Sequence, residues 1–492
     1  MTMGKWWTLL AVCLATFMLL LDVTIVNVAL PSIQTSLGAS LTSLEWVVDA
    51  YALALASLLL ISGSLADRYG RRRVFRIGLA LFTLGSLACS LASSATVLVV
   101  SRALQGVGGA ALFATALAIL GQEFTGQARS RALGVWGAAV ALGLAVGPLA
   151  GGLLTDLFSW RAIFFVNVPI GAIAFLLAGF RLGESRDPEG TPLDWPGALT
   201  FGLALSTLTF ALVEGNTRGW TTPIIVGSFL VACASGALFV KLEAARRGLF
   251  DLSLFRRRTF DAATLGVLGQ GFVIGPLLFY LVRYLQEVLG ASPLRAGAEV
   301  FPMTITCFGA AILAGRATSR VPLRLLLALS LVLLGCGTLL MLFVSERTSW
   351  VVLLPGLLVG GAGWGAVNPI AAEGALSSVP AEHSGMASGI NNTSRQVGIA
   401  IGLGALGAVF QQRLQSVLMS GVAKRRLPLP PGATKLAARG GLAQAAASVP
   451  PAARPAFEAA GRAASTAALH GVLFVGGIGA AVAGVVIAFL CE

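Results

Sequence analysis

The chain alternates between long apolar runs and short polar breaks. Apolar runs cover about 6–30, 46–62, 77–95, 97–120 and 132–156, and a sixth ends before a polar stretch at 182–196. Two more follow at about 197–213 and 223–241, then six near 262–288, 296–315, 323–344, 350–372, 386–410 and 469–490. Each run is close to the ~20 residues that carry a helix across a bilayer, and far longer than the ~10-residue alternation of a barrel strand. The pattern predicts an all-α integral membrane protein with about fourteen transmembrane helices.

The polar breaks orient these helices. Gly63 to Arg73 (Gly-Ser-Leu-Ala-Asp-Arg-Tyr-Gly-Arg-Arg-Arg) is a knot of charge between the second and third runs. It is too short for a domain, so it predicts a tight turn, with Gly63 and Gly70 easing the reversal. Its four arginines place it on the cytoplasmic side, because basic residues in short loops stay there. Arg246, Arg247, Arg256, Arg257 and Arg258 mark the same side later in the chain, so both termini are expected in the cytoplasm. Lys5, Trp6 and Trp7 read as an interfacial anchor, and Trp46 and Tyr51 as aromatics at the outer interface. The first run is too long for a cleavable signal. The stretch 411–468, rich in Ala, Pro, Gly and Arg, breaks the pattern and predicts an extracytoplasmic insertion, partly helical around 433–448.

Composition agrees with the pattern and excludes other classes. Of 492 residues, 56% are hydrophobic and only 11% charged, against roughly 25% charged in a soluble domain. The net charge of +13 is spread over loops rather than gathered in a basic domain, so nucleic acid is not an expected partner. Lysine occurs only at 5, 241, 424 and 435, an arginine bias compatible with a GC-rich bacterial genome. Six cysteines without metal-ligand spacing and two histidines, His383 and His470, give no basis for a metal site, a disulfide framework or a catalytic dyad. No nucleotide loop or nucleophile constellation suggests an enzyme.

Charged and polar side chains inside apolar runs are costly and therefore candidate functional groups. Asp22 lies in the first run, Asp49 early in the second and Arg102 in the fourth. Helix rise puts Asp22 ~12 Å below the outer end of its run and Asp49 and Arg102 ~8 Å below theirs, so the three could meet. Asp49 could serve a function or merely be a snorkelling acid near the outer face. Asp22 could instead make a structural hydrogen bond, and Arg102 could simply tie two helices together. Candidate cavity-lining residues are Asn27, Gln105, Trp136, Gln270, Trp364, Asn368, Asn391, Asn392 and Arg395.

Several segments carry a resemblance. Gly-x-Leu-Ala-Asp-Arg-x-Gly-Arg-Arg-Arg resembles the loop between helices 2 and 3 of the major facilitator superfamily. Leu21-Asp22-Val23-Thr24 to Pro31 looks like the first-helix motif of its fourteen-helix drug:proton antiporters, and Ser101-Arg102 through Gln105 to Gly109 resembles the superfamily's fourth-helix motif. Gly143-x-x-x-Gly147-Pro148-x-x-Gly151-Gly152 resembles the kinked motif of its exporters. The segment from Ser159 to Gly171 is similar to the entry of the sixth helix. The turn near Gly315 to Arg320 matches the opening motif only weakly.

The resemblance implies a major facilitator fold of two six-helix bundles, 1–181 and 262–492, with a 182–261 linker that holds two additional helices. It implies a proton-driven exporter of drugs, antibiotics or amphipathic and cationic metabolites in the bacterial cytoplasmic membrane. No cofactor is expected beyond the proton gradient. The partners implied are a small organic substrate, protons and the bilayer, with a monomer expected. By the same resemblance, Asp22, Asp49 and Arg102 would couple protons. Gly63, Asp67, Arg68, Gly70, Arg71 and Arg72 would form a latch to the second bundle, and Gly143, Gly147, Pro148, Gly151 and Gly152 the antiporter kink. Export of one endogenous metabolite, lipid translocation and a non-transporting scaffold are the competing readings.

Overall fold

The computed structural model describes residues 3–124, 126–184, 194–246, 252–318, 320–379, 384–425 and 442–490. Among them the chain is helical throughout, with no strand. The long helices are α1 (Met3–Leu37), α2 (Leu41–Tyr69), α3 (Arg71–Ser90), α4 (Ala95–Glu123), α5 (Gly126–Leu157) and α7 (Asn167–Arg181), with a single-turn α6 (Ala162–Phe165) between the last two. α8 (Trp195–Arg218) and α9 (Pro223–Arg246) follow. The remainder comprises α10 (Arg258–Glu287), α11 (Pro293–Ala317), α12 (Leu323–Leu340), α13 (Leu354–Ser377), α14 (Ser384–Arg425), a short α15 (Leu442–Ser448) and α16 (Arg454–Leu490). Among the described residues, 13 helices are long and apolar enough to span a membrane; α5, at 32 residues, is as long as its neighbours.

Packing divides the helices into two bundles with the same internal plan. In the first, α1 packs on α5 and α7, and α4 on α2 and α3; in the second, α10 packs on α14 and α16, and α13 on α11 and α12. The correspondence α1 to α10, α2 to α11 and onward is that of parallel repeats about an axis along the membrane normal. The bundles meet along two seams, α5 against α11 and α2 against α14. α8 and α9 pair with each other, with Phe201 and Phe239 at a ring distance of 5.3 Å, and α8 lies over the α2–α14 seam. The helices thus form two six-helix bundles with two more packed outside the seam.

Two expectations about local structure are corrected. The reversal at the arginine cluster is not a turn from Gly63 to Arg73. α2 runs on to Tyr69, so Gly63, Asp67 and Arg68 belong to its last turns, and the chain turns at Gly70 alone, with φ 109° and its N–H on Ala66 O. Positive φ is open to glycine without a Cβ penalty, so one residue suffices. Likewise, residues 411–425 prolong α14 and residues 454–468 begin α16, leaving less loop than the run 411–468 implied. Pro455 sits in the first turn of α16, where its missing N–H costs nothing. The prolines at 428, 430 and 431 and most of 433–448 lie outside the described residues, with helix described from Leu442.

Candidate functional site

Glycine on α4 sets the position of the central charge. A Cβ on Gly106 would stand 2.9 Å from Ala54 Cβ and against Tyr51 O of α2, and one on Gly108 would meet α3 at Phe82, 2.8 Å from its Cα. α2 and α3 therefore press directly on α4, as small residues permit. Arg102, one turn before this row, is left inside the bundle at 2% exposure.

There Arg102 meets Asp22. The guanidinium Nη1 lies 2.5 Å from Asp22 Oδ2 and 2.6 Å from Gln105 Oε1, and Nε donates to Val47 O at 3.0 Å. The guanidinium stacks over the Tyr51 ring with 4.3 Å between centres. The other Asp22 oxygen accepts from Gln105 Nε2 at 2.8 Å and from Asn167 Nδ2 at 3.0 Å, and Gln105 Nε2 also reaches Ser86 Oγ at 2.7 Å. Helices α1, α4 and α7 thus converge on one carboxylate, with α3 holding Gln105 through Ser86 and α2 supplying a carbonyl and a ring to Arg102. A buried ion pair endures best when its other donors and acceptors are satisfied; here both Asp22 oxygens and the Nε and Nη1 of Arg102 are bonded, while Asn167 Oδ1 is left without a partner.

The other sequence candidates fall into distinct groups. Asp49 is 0% exposed and joins neither Asp22 nor Arg102; both its carboxylate oxygens lack a hydrogen-bond partner. Tyr51, expected at an interface, is buried under Arg102, where Gly106 lets α4 close on α2. Asn27 bonds to Val23 O of its own helix, and Trp136 Nε1 donates to Thr16 Oγ1 at 3.0 Å, tying α5 to α1. Gln270 donates to Trp364 O at 2.9 Å and Asn391 to Ala371 O at 3.3 Å, so these three act as ties within the second bundle. Asn368 is half-buried on α13, and Arg395 Nη2 donates to Asn392 Oδ1 at 3.1 Å on α14. Gln105, counted as cavity lining, is part of the Asp22 network instead.

The α5 motif works as two faces. Gly143, Gly147 and Gly151 press on α1, where an added Cβ would lie 2.8 Å from Phe17 O, 2.7 Å from Thr24 Cβ and 2.6 Å from Ile25 O. Gly152 faces α11, with Leu294 Cα 2.7 Å from where its Cβ would stand, and Pro148 presents its carbonyl to Gly297. Pro148 and its flanking glycines therefore lie between Asp22's helix and the second bundle.

At the arginine cluster, Arg72 donates from Nη2 to Gly179 O at 2.5 Å and from its backbone N–H to Glu184 at 3.1 Å. Those partners lie on α7 and just after it; the second-bundle contact that the resemblance implies is one of Asp67. Arg68 lies beside Tyr69, Gly70 is buried near Glu184, Arg71 is half-buried, and the Asp67 side chain lies outside the described residues.

At the opposite face the bundles are joined. Gln286 of α10 donates to Val28 O at 2.7 Å, Arg283 to Gln34 at 3.1 Å, and Tyr280 to Glu45 at 2.9 Å. Asn167, Ser86, Glu45 and Tyr280 were not singled out in the sequence, although a polar side chain inside an apolar run was available as the signal.

A family description of the Major Facilitator Superfamily matches residues 12–403. The chain therefore belongs to the Major Facilitator Superfamily, and it is a multi-pass membrane transporter. It is 38% identical over 414 residues to the multidrug resistance protein Stp of Mycobacterium tuberculosis, covering 84% of this chain and 77% of that one. It is 36% identical to the methylenomycin A resistance protein of Streptomyces coelicolor, over 79% of this chain and 82% of the relative. Among solved structures, an inward-facing, unoccupied bacterial homologue of the human lysosomal transporter Spinster aligns over 98% of both chains with a TM-score of 0.64 at 19% identity, a likeness of fold.

Proposed function

We propose that the protein is a proton-coupled antiporter that exports organic drugs or antibiotics across the bacterial cytoplasmic membrane. The observation that carries the proposal is the enclosed Asp22–Arg102 pair, placed against the helix that the α5 glycines and Pro148 connect to the second bundle. The names of the two relatives support drug and antibiotic export. Both termini and the arginine cluster lie in the cytoplasm on this reading, by the positive-inside rule.

The mechanism follows from the charge balance. With Asp22 ionised, its charge is matched by Arg102 and held by Gln105 and Asn167. A proton on Asp22 cancels its charge and frees the guanidinium to take another acceptor, such as the Tyr51 hydroxyl, which is buried without a partner. A cationic substrate that reaches the site when the bundles part competes with that proton for the same carboxylate. Proton and substrate then occupy the site in alternation while the bundles rock about it. One relative is named for a single antibiotic and the other for many drugs, so a dedicated exporter remains the second reading.

The test is substrate-induced proton flux in proteoliposomes under an imposed pH gradient. Asp22→Asn is expected to abolish coupled flux and to weaken the binding of cationic substrates. Unchanged coupled flux in that variant would overturn the assignment, and a substrate panel in a pump-deficient host separates broad from dedicated export.

A further inference from the structure

Glu45 and Asp49 lie one turn apart on α2, at 1% and 0% exposure. Side chains at this spacing share one face, with Cβ atoms about 5–6 Å apart. Glu45 accepts the Tyr280 hydroxyl hydrogen bond from α10 at 2.9 Å, and Gln411 of α14 lies near it. Tyr280 is itself fixed by stacking on Phe410 of α14, with ring centres 4.2 Å apart. Gly407 makes room for the contact, because a Cβ there would stand 3.1 Å from both Glu45 Oε1 and the Tyr280 oxygen. The pair therefore sits where the first bundle closes on the second.

The charges around it do not neutralise two carboxylates. Arg283 of α10 acts on Glu45 but is committed to Gln34 of α1 and to Glu287 at 3.0 Å. Arg102 of α4 is committed to Asp22 and to Val47 O. From α8 comes a further negative group, Glu214, which holds Trp46 Nε1 and Arg218. Asp49 has no hydrogen-bond partner at all. Enclosing a second, unpaired carboxylate is strongly unfavourable, and like charges at this separation add to that. A proton on the pair removes both penalties. Separation of α2 from α10 would withdraw the tyrosine, admit water and let the pair ionise.

We infer that Glu45 and Asp49 form a proton-binding site of the gate opposite the arginine cluster, and that this gate closes only over the protonated pair. Tyr280 is the positioning residue that closes on it. The inference rests on the antiport reading for its direction: a carrier that has released substrate outside must take a proton there before it can shut.

The experiment uses the full chain in lipid nanodiscs with no substrate and no gradient. Spin labels are attached at the exposed Ser36 and Arg347, after replacement of Cys233, Cys336 and Cys491. The closed-to-open ratio at this face is expected to fall as pH rises, by up to about tenfold per pH unit for one linked proton. Glu45→Gln combined with Asp49→Asn is expected to stay closed at every pH. Tyr280→Phe should lower the closed fraction at all pH values while leaving the pH slope intact, which keeps the test valid should the double variant fold poorly. A wild-type pH profile in the double variant, or a gate that responds to sodium instead of pH, would overturn the site. Asp22→Asn separates the two proposals: it should lose coupled flux yet keep the gate's pH profile, and loss of that profile as well would place the gate's proton on Asp22.

Discussion

Arg102 at 2% exposure and Asp22 at 0% leave each charge dependent on the other. Removing one member of a buried pair costs about 3–5 kcal/mol, because the survivor keeps its charge without compensation. Asp22→Asn should therefore lower the thermal midpoint as well as uncouple transport. Combining it with Arg102→Met should recover most of that stability, because the pair is then replaced by neutral groups, but should not recover proton flux. Thermal unfolding of the two singles and the double in one lipid mixture gives the coupling energy, expected at about 2 kcal/mol or more. Additive losses would show that the pair is not a unit. At this scale Asp22 and Arg102 were legible as charges in apolar runs. Asn167, 145 residues from Asp22, was not, since only the packing of α7 on α1 makes it a ligand of that carboxylate.

At the scale of the helix, α5 offers a comparison within one element. Gly147 presses on Thr24 of α1, whereas Gly137 has nothing within 4 Å of where a Cβ would stand. Gly137→Ala should leave transport unchanged and stabilise the helix by up to about 1 kcal/mol. Gly147→Leu should push α5 off α1 and reduce export at least about tenfold with the helix content preserved, since close approach is what small residues permit. Export rate and circular dichroism of both variants check the prediction, and equal behaviour would reduce the motif to a bend. Helix ends were less legible than helix centres. Hydropathy ends a span where the membrane ends, but α2, α14 and α16 continue beyond it because their flanking residues still favour helix.

For the whole molecule, the two membrane faces should oppose each other. Arg283 and Gln34 tie the bundles at the face opposite the arginine cluster, and Asp67 is proposed to latch them at the other. A hydrogen bond to a charged group is worth ~1.5–3 kcal/mol, enough to shift a balanced equilibrium by about tenfold or more. Arg283→Ala should populate the state open at the opposite face, and Asp67→Asn the state open at the arginine face with transport impaired and expression maintained. Together they should restore a near-even distribution of spin-label distances. Normal transport by Asp67→Asn would remove the latch.

The sequence by itself determined the membrane class, the approximate number and order of spans, the expected orientation, and the intramembrane charges Asp22, Asp49 and Arg102. Those features are local: an apolar run must form a helix in lipid, and a charge within it must find a partner. Tertiary structure alone decided the partners. It joined Glu45 to Tyr280 across 235 residues and Arg283 to Gln34 across 249, and it left Asp49 enclosed beside Glu45 rather than with Arg102. A helix of given hydropathy can take any rotation about its axis, and depth along that axis does not say which neighbour a side chain faces. That choice is made by the glycine seams of α4 and α5 and by the meeting of two bundles, which no single segment specifies.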